Sequence, residues 1–190
     1  MAWTNLVGDS VRANGPAGGP LPEEPLMTTK ADFTDEEWTR LERAPFVAGM
    51  AISLADPGGP IEAVKESMAT LKTVAETAQA GGRGELVDAV SKSVAAQLKQ
   101  RHNPLGGFKP PKGALAGEAI LDELRAVNAS VTQKATPEEA AGFREWLLEA
   151  AKRASEAAKE GGFLGFKAER VSEGEQRMLD KLAEALSAPA

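Results

Sequence analysis

The sequence predicts an all-α fold: a single bundle of about six or seven helices around a buried central helix, with a disordered N-terminal arm. Apolar residues recur at steps of three and four along several segments, and no stretch alternates with a period of two for long enough to form a strand. Three segments also begin with Ser or Thr followed three residues later by Glu, which is the capping-box pattern of a helix start.

Two regions follow from the composition along the chain. Residues 1–31 are predicted to be a flexible N-terminal arm, because residues 14–22 (NGPAGGPLP) combine prolines and glycines that a regular helix does not tolerate. Residues 32–190 are predicted to be one all-helical domain. Four residues separate Met27 from that domain, so the sequence leaves open whether translation starts at Met1 or at Met27.

The central helix is predicted at residues 44–55 (APFVAGMAISLA), which carry no charge. A helix that is apolar all round belongs inside a bundle. A bilayer span needs about 20 residues, so this segment is too short to be one. The helix before it begins at the capping box of Thr34 and Glu37. Pro45 is expected either to separate the two helices or to start the second one.

A heptad-like seam marks the next helix, which runs to about Ala80. Its apolar residues are Ile61, Val64, Met68, Leu71, Ala75 and Ala78. We expect this seam to pack inside the core; the alternatives are a homodimer face and a partner-binding face.

The remaining helices show one apolar stripe each. The stripes are Val87, Val90, Val94 and Leu98; Ile120, Leu124, Val127 and Val131; Phe143, Trp146, Leu147, Ala150, Ala154 and Ala157; and Leu179, Leu182 and Leu186. The last two of these helices open with the boxes Thr136–Glu139 and Ser172–Glu175.

Composition argues against several function classes. The formal net charge is −6, which disfavours nucleic acid and anionic membrane surfaces as partners. The chain has no Cys and one His, so disulfides, thiolate metal sites and a cysteine nucleophile are excluded. No motif for nucleophilic or acid–base catalysis is present, so we expect a non-enzymatic protein without a cofactor. The first residues do not show a signal-peptide pattern, which favours the cytoplasm. Abundant Ala, Gly and Glu favour a bacterial source.

Candidate partner-binding residues lie in two glycine-containing loops that share the tripeptide Gly-Phe-Lys. One loop contains Phe108, and the other contains Phe163, Leu164 and Phe166. Apolar side chains beside a helix end usually fold back onto the helices. If they are exposed, they form a docking loop for a protein partner.

Two capping segments resemble a known family. The segment Thr34-Asp35-Glu36-Glu37 and the segment Ser172-Glu173-Gly174-Glu175 resemble helix starts of the bacterial TerB-like tellurite-resistance proteins. The resemblance implies an all-helical stress-response protein with an acidic metal site. The implied ligands of a divalent cation are Asp35, Glu36, Glu173 and Glu175. Helix capping explains the same acids without a metal. Residues 143–172 also resemble uncharacterised bacterial helical proteins, which implies no activity.

The function that we expect is therefore protein–protein interaction by a bacterial cytoplasmic helical protein. Its partner is an unknown protein, and its oligomeric state stays open. The first alternative is a TerB-like protein that binds a divalent cation through carboxylates in a stress response. The second is a helical protein that binds a small molecule in a pocket between the central helix and the helix of Trp38 or of Trp146.

Overall fold

A computed structural model describes residues 27–55, 60–159 and 171–187. The described residues form six α-helices, two short 3-10 helices and no strand, so the predicted all-α bundle is confirmed. The α-helices are α1 (Asp35–Ala55), α2 (Pro60–Ala80), α3 (Glu85–Lys99), α4 (Ala116–Lys134), α5 (Pro137–Lys159) and α6 (Glu173–Ala185). The 3-10 helices are Lys30–Asp32 before α1 and Gly113–Leu115 before α4. Residues 1–26, which hold most of the predicted arm, lie outside the described residues.

Helix α1 is the centre of the bundle, because it contacts each of the other five α-helices. Its buried apolar side chains are Trp38, Leu41, Ala44, Val47, Ala48, Ala51 and Ile52. The prediction of a buried central helix is therefore confirmed. Burial is not complete all round, since Leu54 near the end of the helix is exposed.

The break predicted at Pro45 is wrong, because α1 continues through this residue. A proline inside a helix removes one backbone hydrogen bond and costs about 3 kcal/mol. Leu41 and Val47, on either side of Pro45, are fully buried in the core. Each such side chain contributes about 1.5–3 kcal/mol on burial. Packing on both sides of the proline therefore outweighs its cost and keeps the helix in one piece.

All three predicted capping boxes are present. In each box the Glu backbone amide donates to the cap hydroxyl oxygen at 3.2 Å. In return, the Glu carboxylate accepts from the backbone amide of the cap residue at 2.7 to 3.2 Å. The pairs are Thr34 with Glu37, Thr136 with Glu139, and Ser172 with Glu175.

The segment before α1 is hydrogen-bonded to α5. Thr28 is buried, and its backbone amide and hydroxyl both donate to the carboxylate of Glu139. Partial burial works to raise the pKa of Glu139, but the hydrogen bonds from Thr28 and Thr136 outweigh it and hold the pKa below its ordinary value. The packed part of the chain therefore already includes Thr28.

Glu37 is expected to make the stability of the bundle sensitive to acid. Its carboxylate accepts from Lys134 Nζ at 2.6 Å and from the Thr34 amide at 2.7 Å. These bonds lower its pKa from 4.5 to about 2. Because the pKa is lower in the folded state, the stabilising effect of Glu37 is complete above about pH 4.5 and disappears as the pH falls towards 2. The unfolding midpoints of the wild-type protein and Glu37→Gln should therefore converge in acid.

Nuclear magnetic resonance titration of the Glu37 carboxyl checks this prediction directly. Lys134→Met is the matched variant, because it removes the main donor and should move the pKa of Glu37 upwards. A folded-state pKa near 4.5 in the wild-type protein would contradict the prediction.

Candidate interaction surface

The outward face of α2 is apolar. The residues of this face, which we name the outer row, are Ile61, Val64, Met68, Leu71, Ala75 and Ala78. Ile61, Val64 and Met68 are exposed by 68%, 62% and 58%, and the other three side chains are half-buried. The expectation that this seam packs inside the core is therefore wrong.

Threonines take the place of the seam on the inward face of α2. Thr70, Thr73 and Thr77 are buried, and each hydroxyl donates to the carbonyl four residues earlier at 2.9 to 3.1 Å. A threonine bonded in this way satisfies its hydroxyl within its own helix and leaves its methyl group free for packing. The threonine methyl groups, together with the fully buried Val74, therefore give this face apolar surface for packing.

Three contacts fix α2 in this orientation. Trp146 Nε1 donates to Thr77 Oγ1 at 3.0 Å, and the Ser53 hydroxyl donates to the buried carboxylate of Glu66. Gly49 of α1 lies against Thr70 so closely that a Cβ atom there would overlap the threonine hydroxyl. Turning the outer row inwards would break all of these contacts.

An ion-pair network joins α2 to α5. Arg153 bonds Glu76 at 2.6 Å and Glu149 at 2.8 Å, and Arg83 also pairs with Glu149. The hydrogen bond that the Arg153 guanidinium donates to the Glu76 carboxylate raises the pKa of Arg153. Burial works to raise the pKa of Glu149, but Arg83 and Arg153 outweigh it and lower that pKa. The network therefore links α2 and α5 at the surface of the bundle.

Two grooves border the outer row. The first, of about 690 Å³, lies between α2 and α5, and we name it the α2–α5 groove. Its apolar lining includes Met68, Leu71 and Ala157. The second, of about 620 Å³, lies between α2 and α3, and we name it the α2–α3 groove. Its apolar lining includes Ala78 and Leu98. The second half of the outer row, from Met68 to Ala78, is thus a ridge bordered by these grooves, whereas Ile61 and Val64 line neither groove.

A smaller cavity of about 210 Å³ lies between α1 and α2, with Thr70 and Asn103 among its polar lining residues. It is below the range of about 300–1,000 Å³ that is usual for ligand pockets. The small-molecule hypothesis places a pocket between the central helix and the helix of Trp38 or of Trp146. Trp38 lies on the central helix itself, and no residue of α5, which contains Trp146, lines this cavity. The described geometry therefore gives this hypothesis little support.

The candidate partner-binding residues of the two glycine-containing loops differ in whether the structure describes them. Phe163, Leu164 and Phe166 lie outside the described residues. Phe108 is half-buried and packs against the core, with its ring centre 5.5 Å from the Arg43 guanidinium carbon. Its described contacts therefore attach the loop after α3 to the bundle.

The four metal-ligand candidates do not meet. Asp35 and Glu36 lie at the start of α1, whereas Glu173 and Glu175 lie at the start of α6. Gly174, between the latter two, lies against the carbonyl of Ala55, which is the last residue of α1. A helix of 21 residues is about 30 Å long, so the structure places the two pairs at opposite ends of α1.

Most of these carboxylates also have partners within their own helix. Glu36 pairs with Arg40 at 2.9 Å, and Glu173 lies 3.5 Å from Arg177. Glu175 is buried and caps α6 through Ser172. Among residues 27–55, 60–159 and 171–187, no group of three or more His, Cys, Asp or Glu side chains is arranged to hold a metal ion. The four acids therefore do not form one cation site.

No protein-family model matches the chain, and no match was found among curated proteins or solved structures. The class that the geometry defines is a helical bundle with an apolar ridge between two grooves. In the described part of the chain, no helix has both the length and the apolar character needed to cross a membrane. The resemblance to TerB-like proteins stays a prediction.

Proposed function

We propose that this chain is a non-catalytic helical binding protein that docks a protein partner on the outer row of α2. The observation that supports the proposal is the clustering of exposed apolar side chains. Of the six large hydrophobic side chains that are exposed in the described residues, four lie at the end of α1 and in the first half of α2. These four are Leu54, Ile61, Val64 and Met68. Contiguous exposed apolar patches typically mark interaction sites.

The exposed side chains of the outer row contribute little to the free energy of folding. The contacts of Thr70, Thr77 and Gly49 position α2 from its other side. Full burial of a large apolar side chain contributes about 1.5–3 kcal/mol, and Ile61 and Met68 have more than half of their surface in contact with water. A covering partner would gain much of that free energy.

The triple variant Ile61→Ser, Val64→Ser, Met68→Ser separates binding from folding. Substitutions at exposed positions usually change the free energy of unfolding by no more than about 0.5 kcal/mol each, so the variant should stay folded. Leu115→Ser is the matched control, because Leu115 and Ile61 are both 68% exposed. Urea denaturation followed by circular dichroism measures both variants.

Cross-linking then tests docking in the cells that express the chain. A photoreactive residue in place of Met68 should trap one discrete protein, whereas the same residue in place of Leu115 should not. Ile61→Ser with Val64→Ser should abolish the adduct at position 68. Equal adducts at both positions, or unfolding of the triple variant, would contradict the proposal. A probe at Phe166 in the same experiment tests the sequence-based prediction of a docking loop.

A further inference from the structure

Cationic side chains line both grooves beside the outer row, although the chain as a whole has a net charge of −6. Five cationic side chains line them, and among the described lining residues Glu156 is the one carboxylate. The cationic residues are Lys65, Lys72 and Arg153 in the α2–α5 groove and Lys92 and Lys99 in the α2–α3 groove. Arg153 is paired with Glu76 and Glu149, so Lys92, Lys99 and Lys72 carry most of the positive charge beside the ridge.

Much of this charge is not neutralised within the described structure. Lys92 and Lys99 are exposed, lie seven residues apart on α3, and form no ion pair with a described residue. Lys72 lies 3.8 Å from Glu76, but Glu76 makes its closer contact, at 2.6 Å, with Arg153. These lysines are available to anionic groups of a partner.

We propose that the occupant of the outer row is an acidic amphipathic helix of a partner protein. This inference rests on the proposed function and adds the chemistry of the partner. An amphipathic helix recognises a groove through apolar anchors at steps of three, four and seven residues, and the outer row has the complementary spacing. From Ile61 to Ala78 the row extends about 26 Å, which corresponds to a partner helix of about 18 residues.

The sizes of the lining side chains support a helix as the occupant. Ala75 lines both grooves, and Ala95 and Ala96 line the α2–α3 groove. Short side chains leave room for the larger apolar anchors of another helix. Glutamates that flank such anchors would come close to Lys72 on one side of the ridge and to Lys92 and Lys99 on the other. Complementary charge of this kind increases the association rate and discriminates between partners.

A second copy of the chain fits the ridge less well. Lys65 and Lys72 lie one heptad apart on the same flank of the row. Antiparallel pairing of two rows would place these lysines opposite the same lysines of the other copy, and like charges at such positions are unfavourable. Parallel pairing would place Lys72 opposite Ser67 of the other copy, which is not a carboxylate.

An anionic bilayer fits less well for a different reason. A membrane surface attracts lysines beside apolar side chains. However, it is flat on the scale of the ridge and would leave grooves of about 690 and 620 Å³ unfilled.

The test uses the full chain and two synthetic helical peptides of about 18 residues. Both peptides carry Leu at the same heptad positions, and their flanking positions carry Glu in one peptide and Lys in the other. Fluorescence anisotropy at low salt should show the Glu peptide binding at least about tenfold more tightly. Lys92→Glu with Lys99→Glu should weaken its binding about tenfold. Lys112→Glu with Lys181→Glu is the matched control, because both lysines are exposed and neither lines a groove.

Three results would overturn the inference. Equal affinity for the two peptides would show that charge does not select the occupant. Sedimentation with phosphatidylserine vesicles that is lost in the Lys92 and Lys99 variant would assign the surface to a membrane. Self-association that is lost in the Ile61, Val64 and Met68 variant would assign it to a second copy. If the Glu peptide does not bind but the probe at position 68 still traps a protein, the inference of an acidic helix is wrong, whereas the proposed function is supported.

Discussion

Replacing Trp146 with Ala is expected to lower the free energy of unfolding by about 3–5 kcal/mol, which is the usual cost of truncating a buried tryptophan. Trp146 is fully buried, and its ring packs edge-to-face against Phe143 with 5.7 Å between ring centres. Its indole nitrogen also donates to Thr77 on the inward face of α2. The substitution therefore removes core volume and a tether between α5 and α2 at once.

Thr77→Val tests the hydrogen bond between Trp146 and Thr77 separately from the packing of the indole ring. The substitution keeps the shape of the side chain but leaves Trp146 Nε1 without this acceptor, and a buried unsatisfied donor costs about 1–3 kcal/mol. Thr73→Val is the matched control. Thr73 is buried and donates to the carbonyl of Ala69 at 2.9 Å, as Thr77 does to the carbonyl of Thr73. We expect a smaller loss at Thr73, because no indole depends on its oxygen in the described structure.

Urea denaturation of the single variants and of a double-mutant cycle with Trp146→Phe measures the coupling between Thr77 and Trp146. Phe keeps most of the ring volume and removes the donor, so Thr77→Val should cost less in that background. If Thr73→Val and Thr77→Val are equally destabilising, the hydrogen bond to Trp146 does not hold α2, and its orientation depends on packing alone.

Local signals in the sequence predict most of the fold. The capping boxes of Thr34, Thr136 and Ser172 predict three helix starts, because a cap is built from residues only three positions apart. The stripe of Phe143, Trp146, Leu147, Ala150 and Ala154 predicts the buried face of α5, because large apolar side chains repeat there with one helical period. Neither signal depends on distant parts of the chain.

Helix α2 shows where this reasoning fails. Two rows follow the helical period, one containing Ile61, Val64 and Met68 and the other containing Thr70 and Thr77. Hydrophobicity favours the first row as the buried one. The structure buries the second row, because back-bonded hydroxyls make its surface methyl-rich and because Trp146 needs the oxygen of Thr77. Threonines at steps of three and four are the sequence signal that could have indicated this face.

The charge of the candidate site could not be predicted from spacing along the chain. Lys72 belongs to α2, whereas Lys92 and Lys99 belong to α3, and only the packing of these helices places all three beside one ridge. The metal hypothesis has the opposite problem. Glu36 and Glu173 lie in similar local patterns, but the length of α1 separates them. A local motif does not define a site that side chains from several helices must form.

Gly174→Ala is expected to destabilise the protein, whereas Gly117→Ala is expected to leave its stability unchanged or raise it. Each glycine is the second residue of its helix, Gly174 in α6 and Gly117 in α4. A Cβ atom on Gly174 would lie 2.7 Å from the backbone carbonyl oxygen of Ala55. A Cβ atom on Gly117 would meet its nearest neighbour, Met178 Cε, at 3.9 Å, which is an ordinary contact. The two glycines therefore occupy the same position in their helices but differ in the space that is available for a Cβ atom.

Two opposing contributions to the free energy of unfolding decide whether each substitution stabilises or destabilises the protein. Alanine gains up to about 1 kcal/mol over glycine in helix propensity, and overpacking costs about 1–3 kcal/mol. At Gly174 the obstacle is a backbone oxygen that no side-chain rotation can move, so α6 must shift away from the end of α1 and the net loss should be about 1–2 kcal/mol. Urea denaturation measures both variants, and hydrogen exchange of α6 amides should increase only in Gly174→Ala. If Gly174→Ala is as stable as Gly117→Ala, the close contact with Ala55 does not hold α6 in place.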